Sequence, residues 1–79
     1  MTIDDLYNII EESLFIEKKD INEDTSTENV SGWDSLGHIT LLSMLDEITE
    51  GKSADIPDLA NVSSVSELKS ILKENNLLS

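Results

Sequence analysis

Residues 35–51 read SLGHITLLSMLDEITEG, and this stretch decides the fold of the chain. Its apolar residues recur at steps of three and four, which is the spacing of one face of a helix. The stripe consists of Leu36, Ile39, Leu42, Leu45 and Ile48, widened by Leu41 and Met44. We therefore predict a helix that begins at Ser35 and ends at Gly51, because glycine is typical of the C′ position just after a helix.

Two further segments have the same helical period. Near the start of the chain, Thr2 is a natural N-cap and Asp5 places negative charge in the first turn. The apolar stripe of this first helix is Ile3, Leu6, Tyr7, Ile10 and Leu14, and the helix should end near Ile16 or Lys18. Near the other end, Ser64 and Glu67 have the spacing of a capping box that opens a last helix. The apolar residues of this last helix are Val65, Leu68, Ile71 and Leu72.

The connections between these helices differ in length. Residues 19–34 form a long polar loop, which we expect to be ordered because Ile21, Val30 and Trp33 can anchor it. Residues 56–60, IPDLA, allow at most a turn or two of helix, since proline is tolerated at a first helical position. The sequence thus predicts one all-α domain over residues 1–79, a small bundle of three main helices plus a short third helix or turn.

The composition is strongly acidic, with 17 Asp and Glu against five Lys and a net charge of −12. Such a surface repels nucleic acids and anionic membranes and favours basic protein partners, although acidity can also serve solubility alone. The chain has no cysteine, which excludes disulfides and thiolate chemistry, and no stretch of transmembrane length. Its acidic N-terminus is unlike a signal peptide. We expect a cytoplasmic monomer that binds neither nucleic acid nor membrane.

Ser35 lies where the long loop meets the second helix. The N–H groups and the positive dipole end at a helix N-terminus favour an anionic phosphate, but Asp34 or Ser35 can equally serve there as a simple cap. His38 has no candidate partners for acid–base chemistry, so we expect a solvated surface residue without a catalytic role. Trp33 can contact an attached group or a partner, or it can anchor the loop.

Residues 32–39, GWDSLGHI, resemble the Asp-Ser-Leu site of the acyl carrier protein family. The resemblance extends over most of the chain in order and approximate spacing. Its other elements are the acidic first helix, the long loop, the acidic pair Asp46-Glu47, Ile56-Pro57 and Ser63-Ser64-Val65. It implies an acyl-carrier-like bundle.

The resemblance also implies a function. A phosphopantetheinyl transferase would move 4′-phosphopantetheine from coenzyme A onto Ser35, with Asp34 helping to position the transferase's magnesium. Loading enzymes would attach an acyl or aminoacyl group to the arm as a thioester, and acyl-transfer enzymes would consume it. The chain would be a carrier rather than an enzyme, with no metal site of its own. Partner contacts are expected at Trp33, Leu36, Ile39, Asp46 and Glu47.

The chain departs from the family pattern at several positions. Gly37 and Thr40 stand where fatty-acid carriers place acids, and residues 49–55 form a longer segment than usual. These departures favour a specialised biosynthetic pathway over housekeeping fatty-acid synthesis. The alternative is an unmodified acidic helical adaptor or regulatory subunit that docks a basic protein.

Residues 20–31 begin like a calcium-binding loop, with Asp20, Asn22 and Asp24 at alternate positions. Thr25 stands where the turn glycine is needed, and Ser31 stands where the bidentate Glu is needed. The sequence therefore excludes an EF-hand at this place.

Overall fold

The computed structural model describes residues 1–79, which form three α-helices and no strands. The helices are α1 (Ile3–Leu14), α2 (Ser35–Ile48) and α3 (Val65–Glu74). Three short 3-10 helices lie in the connections, at Lys18–Asp20, Lys52–Asp55 and Pro57–Asn61. The prediction of a small all-α bundle with a long first loop and a short helical turn is confirmed. No helix combines the length and the hydrophobicity needed to cross a membrane.

The core is a single cluster of 14 buried hydrophobic residues. Leu, Ile and Val fill it, and Trp33 is its only aromatic member. The helices contribute Leu6, Ile9, Ile10, Leu14, Leu41, Leu45, Val65, Leu68 and Leu72. Every buried side-chain nitrogen and oxygen has a hydrogen-bond partner. The interior is therefore closely packed, and its buried polar side-chain atoms are all hydrogen-bonded. The clefts of the molecule lie at its surface.

Thr2 caps α1 as predicted, and the structure adds a reciprocal bond to Asp5 that makes the cap a capping box. Thr2 Oγ1 accepts the Asp5 N–H at 3.1 Å, and the Asp5 carboxylate accepts the Thr2 N–H at 2.9 Å. The bond from the Thr2 N–H holds the pKa of Asp5 below its ordinary value. The helix ends at Leu14, earlier than predicted, because Phe15 adopts the left-handed conformation with φ 57°.

The buried face of α2 differs from the predicted stripe. Gly37, Leu41 and Leu45 face the core, whereas Leu36 is 73% exposed and Ile39 is 60% exposed. Apolar residues surround much of this helix, so their period alone does not determine which face is buried. The helix begins at Ser35 as predicted and ends at Ile48, and three members of the predicted apolar stripe, Leu36, Ile39 and Ile48, are exposed.

The end of α2 is a Schellman motif. The Gly51 N–H donates to the Asp46 carbonyl at 2.8 Å, and the Glu50 N–H donates to the Glu47 carbonyl at 3.3 Å. Glu50 occupies the left-handed C′ position with φ 56°, and Gly51 with φ 88° follows it. The glycine that was predicted at C′ is therefore one residue further along the chain.

The long loop is ordered, as predicted. Ile21 and Trp33 are buried and Val30 is half-buried against the core. The loop is also tied to the start of α3, because the Thr27 N–H donates to the Ser63 carbonyl and the Val65 N–H donates to the Thr25 carbonyl, both at 2.9 Å.

The cap of α3 differs in one detail from the predicted capping box. Ser64 accepts the Glu67 N–H at 3.1 Å, as predicted. The Glu67 carboxylate, however, accepts the N–H of Ser63 rather than that of Ser64, at 2.9 Å. The reciprocal bond is therefore displaced by one residue towards the loop.

Candidate functional site

Asp34, not Ser35, caps α2. Asp34 has extended backbone angles, and its Oδ1 accepts the Gly37 N–H at 2.8 Å. Ser35 is thus the first residue of the helix, and it is exposed. Its hydroxyl makes no hydrogen bond within the chain, because the capping role is already filled. A free hydroxyl at the positive end of a 14-residue helix is the central feature of the site.

Two glycines determine where this helix begins in space. A Cβ on Gly37 would lie 2.0 Å from the Gly32 carbonyl oxygen, and a Cβ on Gly32 would lie 2.1 Å from the Leu14 carbonyl oxygen. The end of α1, the loop and the first turn of α2 therefore pack backbone against backbone. Gly37, which the sequence comparison treated as a departure at a partner surface, is buried and has a packing role.

Trp33 lies in the core beneath the site. Its side chain is 3% exposed, and its indole Nε1–H donates to His38 Nδ1 at 3.1 Å. Of the two roles considered for Trp33, the geometry favours that of a loop anchor, since almost no surface is left for a partner.

The expectation that His38 is a solvated surface residue is wrong. The ring is half-buried, and both of its nitrogens are engaged. Nδ1 accepts from Trp33, and Nε2 lies 3.1 Å from the Leu59 carbonyl oxygen. The planes of the two rings are inclined by 21°, with their centroids 6.4 Å apart. A tryptophan five residues before a histidine was the available sequence signal, but nothing in the spacing revealed the contact with Leu59.

Ser35 lies on the rim of a surface cleft of about 280 Å³. One wall is the start of α2 and the other is the end of the third 3-10 helix. The lining residues are Thr27, Trp33, Asp34, Ser35, His38, Ala60, Asn61 and Val62. Ala60 also lines a more apolar cleft of about 370 Å³ between α2 and residues 53–60. The two clefts are therefore neighbours along one side of α2.

The residues expected to contact partners fall into two groups on α2. Leu36 and Ile39 are exposed beside Ser35. Asp46 and Glu47 are also exposed, but they lie roughly 16 Å further along the helix at 1.5 Å per residue. None of the three ion pairs of the molecule involves either acid. The structure thus brings Asp34, Ser35, Leu36 and Ile39 together and leaves the acidic pair apart.

Two asparagine side chains of the long loop bind its own backbone at Asp24. The Asp24 N–H donates to Asn22 Oδ1 at 2.8 Å, and Asn29 Nδ2 donates to the Asp24 carbonyl at 2.8 Å. No group of three or more His, Cys, Asp or Glu side chains is arranged to hold a metal ion.

Comparison of the chain with protein-family models, with curated proteins and with solved structures finds no match. A functional conclusion must therefore rest on the residues of the site and on their geometry.

Proposed function

We propose that this chain is a carrier protein that is modified on Ser35 with 4′-phosphopantetheine and delivers a thioester-bound acyl or aminoacyl group to partner enzymes. The observation that carries the proposal is the exposed Ser35 hydroxyl, which starts α2 while Asp34 provides the cap. The resemblance of residues 32–39 to the acyl carrier site supplies the chemical class.

The surroundings of Ser35 fit a phosphodiester. The backbone N–H groups of Ser35 and Leu36 belong to the first turn of α2, where they have no partner within the helix and favour an anion. In the transfer, Ser35 Oγ forms a bond to phosphorus and adenosine 3′,5′-bisphosphate leaves coenzyme A. The hydroxyl proton passes to a base of the transferase.

Asp34 has capacity beyond its capping role. One carboxylate oxygen accepts the Gly37 N–H, and the residue is exposed. The other oxygen is available for the magnesium ion that a transferase brings with coenzyme A. The chain has no cysteine, so the arm must supply the thiol that forms the thioester.

The surface beside Ser35 supports a specialised pathway rather than fatty-acid synthesis. Between Asp34 and Asp46 the helix carries no acid, and Leu36, Ile39 and Thr40 are exposed there. Partner enzymes would therefore meet an apolar patch near the arm and negative charge only at the far end of α2. Efficient elongation of long acyl chains on the modified protein by fatty-acid synthases would contradict this proposal.

A second candidate function is an unmodified adaptor for a basic protein. The observation in its favour is the pair of exposed acids, Asp46 and Glu47, that no lysine neutralises. In this case the exposed Leu36 and Ile39 would form the apolar part of the docking surface. The adaptor gives no reason for a free serine behind a capping Asp34.

Intact-protein mass spectrometry tests the carrier proposal. The purified chain is incubated with coenzyme A, magnesium and a broad-specificity phosphopantetheinyl transferase, and we expect the mass gain of one phosphopantetheine. Ser35→Ala should gain nothing. Ser43→Ala, which removes another exposed serine of α2, should be modified like the wild type. An unmodified wild type, or equal modification of Ser35→Ala, would leave only the adaptor.

Asp34→Ser separates the two roles of Asp34. Serine caps helices about as well as aspartate, so the melting temperature should change little. Loss of the carboxylate should nevertheless slow the transfer of phosphopantetheine to Ser35. Transfer at the wild-type rate would contradict a role for Asp34 in positioning the metal.

A further inference from the structure

His38 joins three separate segments of the chain through its ring. Trp33 belongs to the long loop, His38 to the first turns of α2, and Leu59 to the third 3-10 helix. We call the two hydrogen bonds between them, each 3.1 Å long, the Trp33–His38–Leu59 bridge. No other hydrogen bond joins α2 to residues 57–61.

The two hydrogen-bond partners of His38 determine which tautomer of its imidazole is present. The Leu59 carbonyl can only accept, so Nε2 must carry a proton and donate to it. The indole N–H of Trp33 can only donate, so Nδ1 must be unprotonated. Both bonds are satisfied together only by the neutral Nε2–H tautomer.

We propose that His38 is a positioning residue, which holds the third 3-10 helix against the start of α2 and so sets the width of the cleft beside Ser35. The bridge connects the two walls of that cleft. Trp33 and His38 line one wall, and Ala60, the neighbour of Leu59 in the chain, lines the other. The functional consequence rests on the carrier function proposed for Ser35. A transferase that binds this cleft meets a preformed surface only while the bridge is intact.

Protonation of the ring breaks half of the bridge. An imidazolium carries a proton on Nδ1, which would point at the indole N–H of Trp33 across the same 3.1 Å. Asp34 is the only charged side chain that lines the cleft with His38. The acid of the third 3-10 helix, Asp58, is exposed and does not line it. A protonated ring would therefore lose its hydrogen bond to Trp33 and keep the one to Leu59.

Nuclear magnetic resonance of the ¹⁵N-labelled apo-protein tests the bridge without any transferase. We expect the His38 nitrogen shifts of an Nε2–H tautomer and slow solvent exchange of the Trp33 indole N–H. In His38→Leu, which keeps bulk but forms neither bond, the indole N–H should exchange quickly. An Nδ1–H tautomer, or equal exchange in both proteins, would overturn the bridge.

Two conservative variants test positioning against simple packing. The side-chain oxygen of His38→Asn can take the place of Nδ1, whereas the amide nitrogen of His38→Gln can take the place of Nε2 and donate to Leu59. We expect the KM of the transferase for apo-protein to rise roughly tenfold in His38→Leu, the factor for one hydrogen bond, with kcat little changed. The glutamine variant should recover most of this loss, because it restores the bond across the cleft.

The outcomes separate this inference from the carrier proposal. A wild type that accepts no phosphopantetheine contradicts the carrier function, and the positioning role for the transferase fails with it. In that case the resonance data still decide whether the Trp33–His38–Leu59 bridge exists. A wild type that is modified normally, with the same KM in the wild type, His38→Leu and His38→Gln, overturns the positioning role alone.

Discussion

At the scale of single residues, Phe15 combines two unfavourable properties. Its backbone is left-handed with φ 57° and ψ 42°, a conformation that costs an L-residue roughly 1–2 kcal/mol. Its side chain is 91% exposed and gains almost nothing from packing. A residue that is strained and exposed in this way contributes little to the stability of the fold.

Phe15→Gly should stabilise the protein. Glycine removes the left-handed strain but makes the unfolded chain more flexible, so we expect a net gain of about 0.5 to 1 kcal/mol in the free energy of unfolding. Urea denaturation followed by circular dichroism measures it. Asn76→Gly is the matched control, because Asn76 is also left-handed with φ 59° but asparagine tolerates that conformation. A less stable Phe15→Gly would show that the aromatic ring packs on the bundle.

At the scale of the elements, helix propensity and close backbone packing have opposite effects at the contact between Gly32 and Gly37. Glycine inside a helix is unfavourable by about 1 kcal/mol relative to alanine. A Cβ on Gly37, however, would meet a backbone oxygen that cannot rotate away. Packing therefore outweighs helix propensity at this position.

Gly37→Ala should destabilise the protein by about 2 kcal/mol, because the loop must move away from α2 to admit the methyl group. Urea denaturation checks the sign. Ser43→Ala, at an exposed position of the same helix, should be neutral or slightly stabilising. If Gly37→Ala is more stable than the wild type, the close contact between the two glycines does not exist.

Local sequence predicts the helices better than it predicts their contacts. Thr2 and Ser64 identify the starts of α1 and α3, because capping depends on residues within one turn. The buried face of α2 does not follow from its apolar period, because apolar residues lie on several of its sides. The role of His38 depends on Leu59, which is 21 residues away, and no local pattern encodes that contact.

The candidate site also has a part that local sequence predicts and a part that depends on tertiary contacts. The free serine behind a capping Asp34 was one of two possibilities that the local sequence allowed at a helix start. The cleft beside Ser35 requires Ala60 and Val62 to pack near α2, which is a property of the tertiary fold. The residue types of the site could therefore be predicted from the sequence, whereas the shape of the cleft beside Ser35 could not.

At the scale of the whole molecule, charge works against the folded state. The net charge is −12, and only three ion pairs offset it locally. The molecule measures 27 × 23 × 18 Å along its principal axes. At about 0.01 M salt the Debye length of roughly 30 Å exceeds all three, so every carboxylate repels every other.

The melting temperature should therefore rise by several degrees between about 0.01 M and 0.15 M sodium chloride, where the Debye length falls to roughly 8 Å. Thermal unfolding followed by circular dichroism measures the rise. A double variant, Asp46→Asn with Glu47→Gln, removes two of the unpaired charges and should depend less on salt. A melting temperature that falls with added salt would contradict dominant self-repulsion.

The buried position of Trp33 makes its fluorescence a probe of the site. It is the only tryptophan in the chain, so its emission reports on the floor of the Ser35 cleft without any label. The indole N–H is bonded to His38, so a change in the position of His38 changes the surroundings of this ring. The intrinsic fluorescence of the protein can therefore follow in real time how an attached arm or a docking partner disturbs the start of α2.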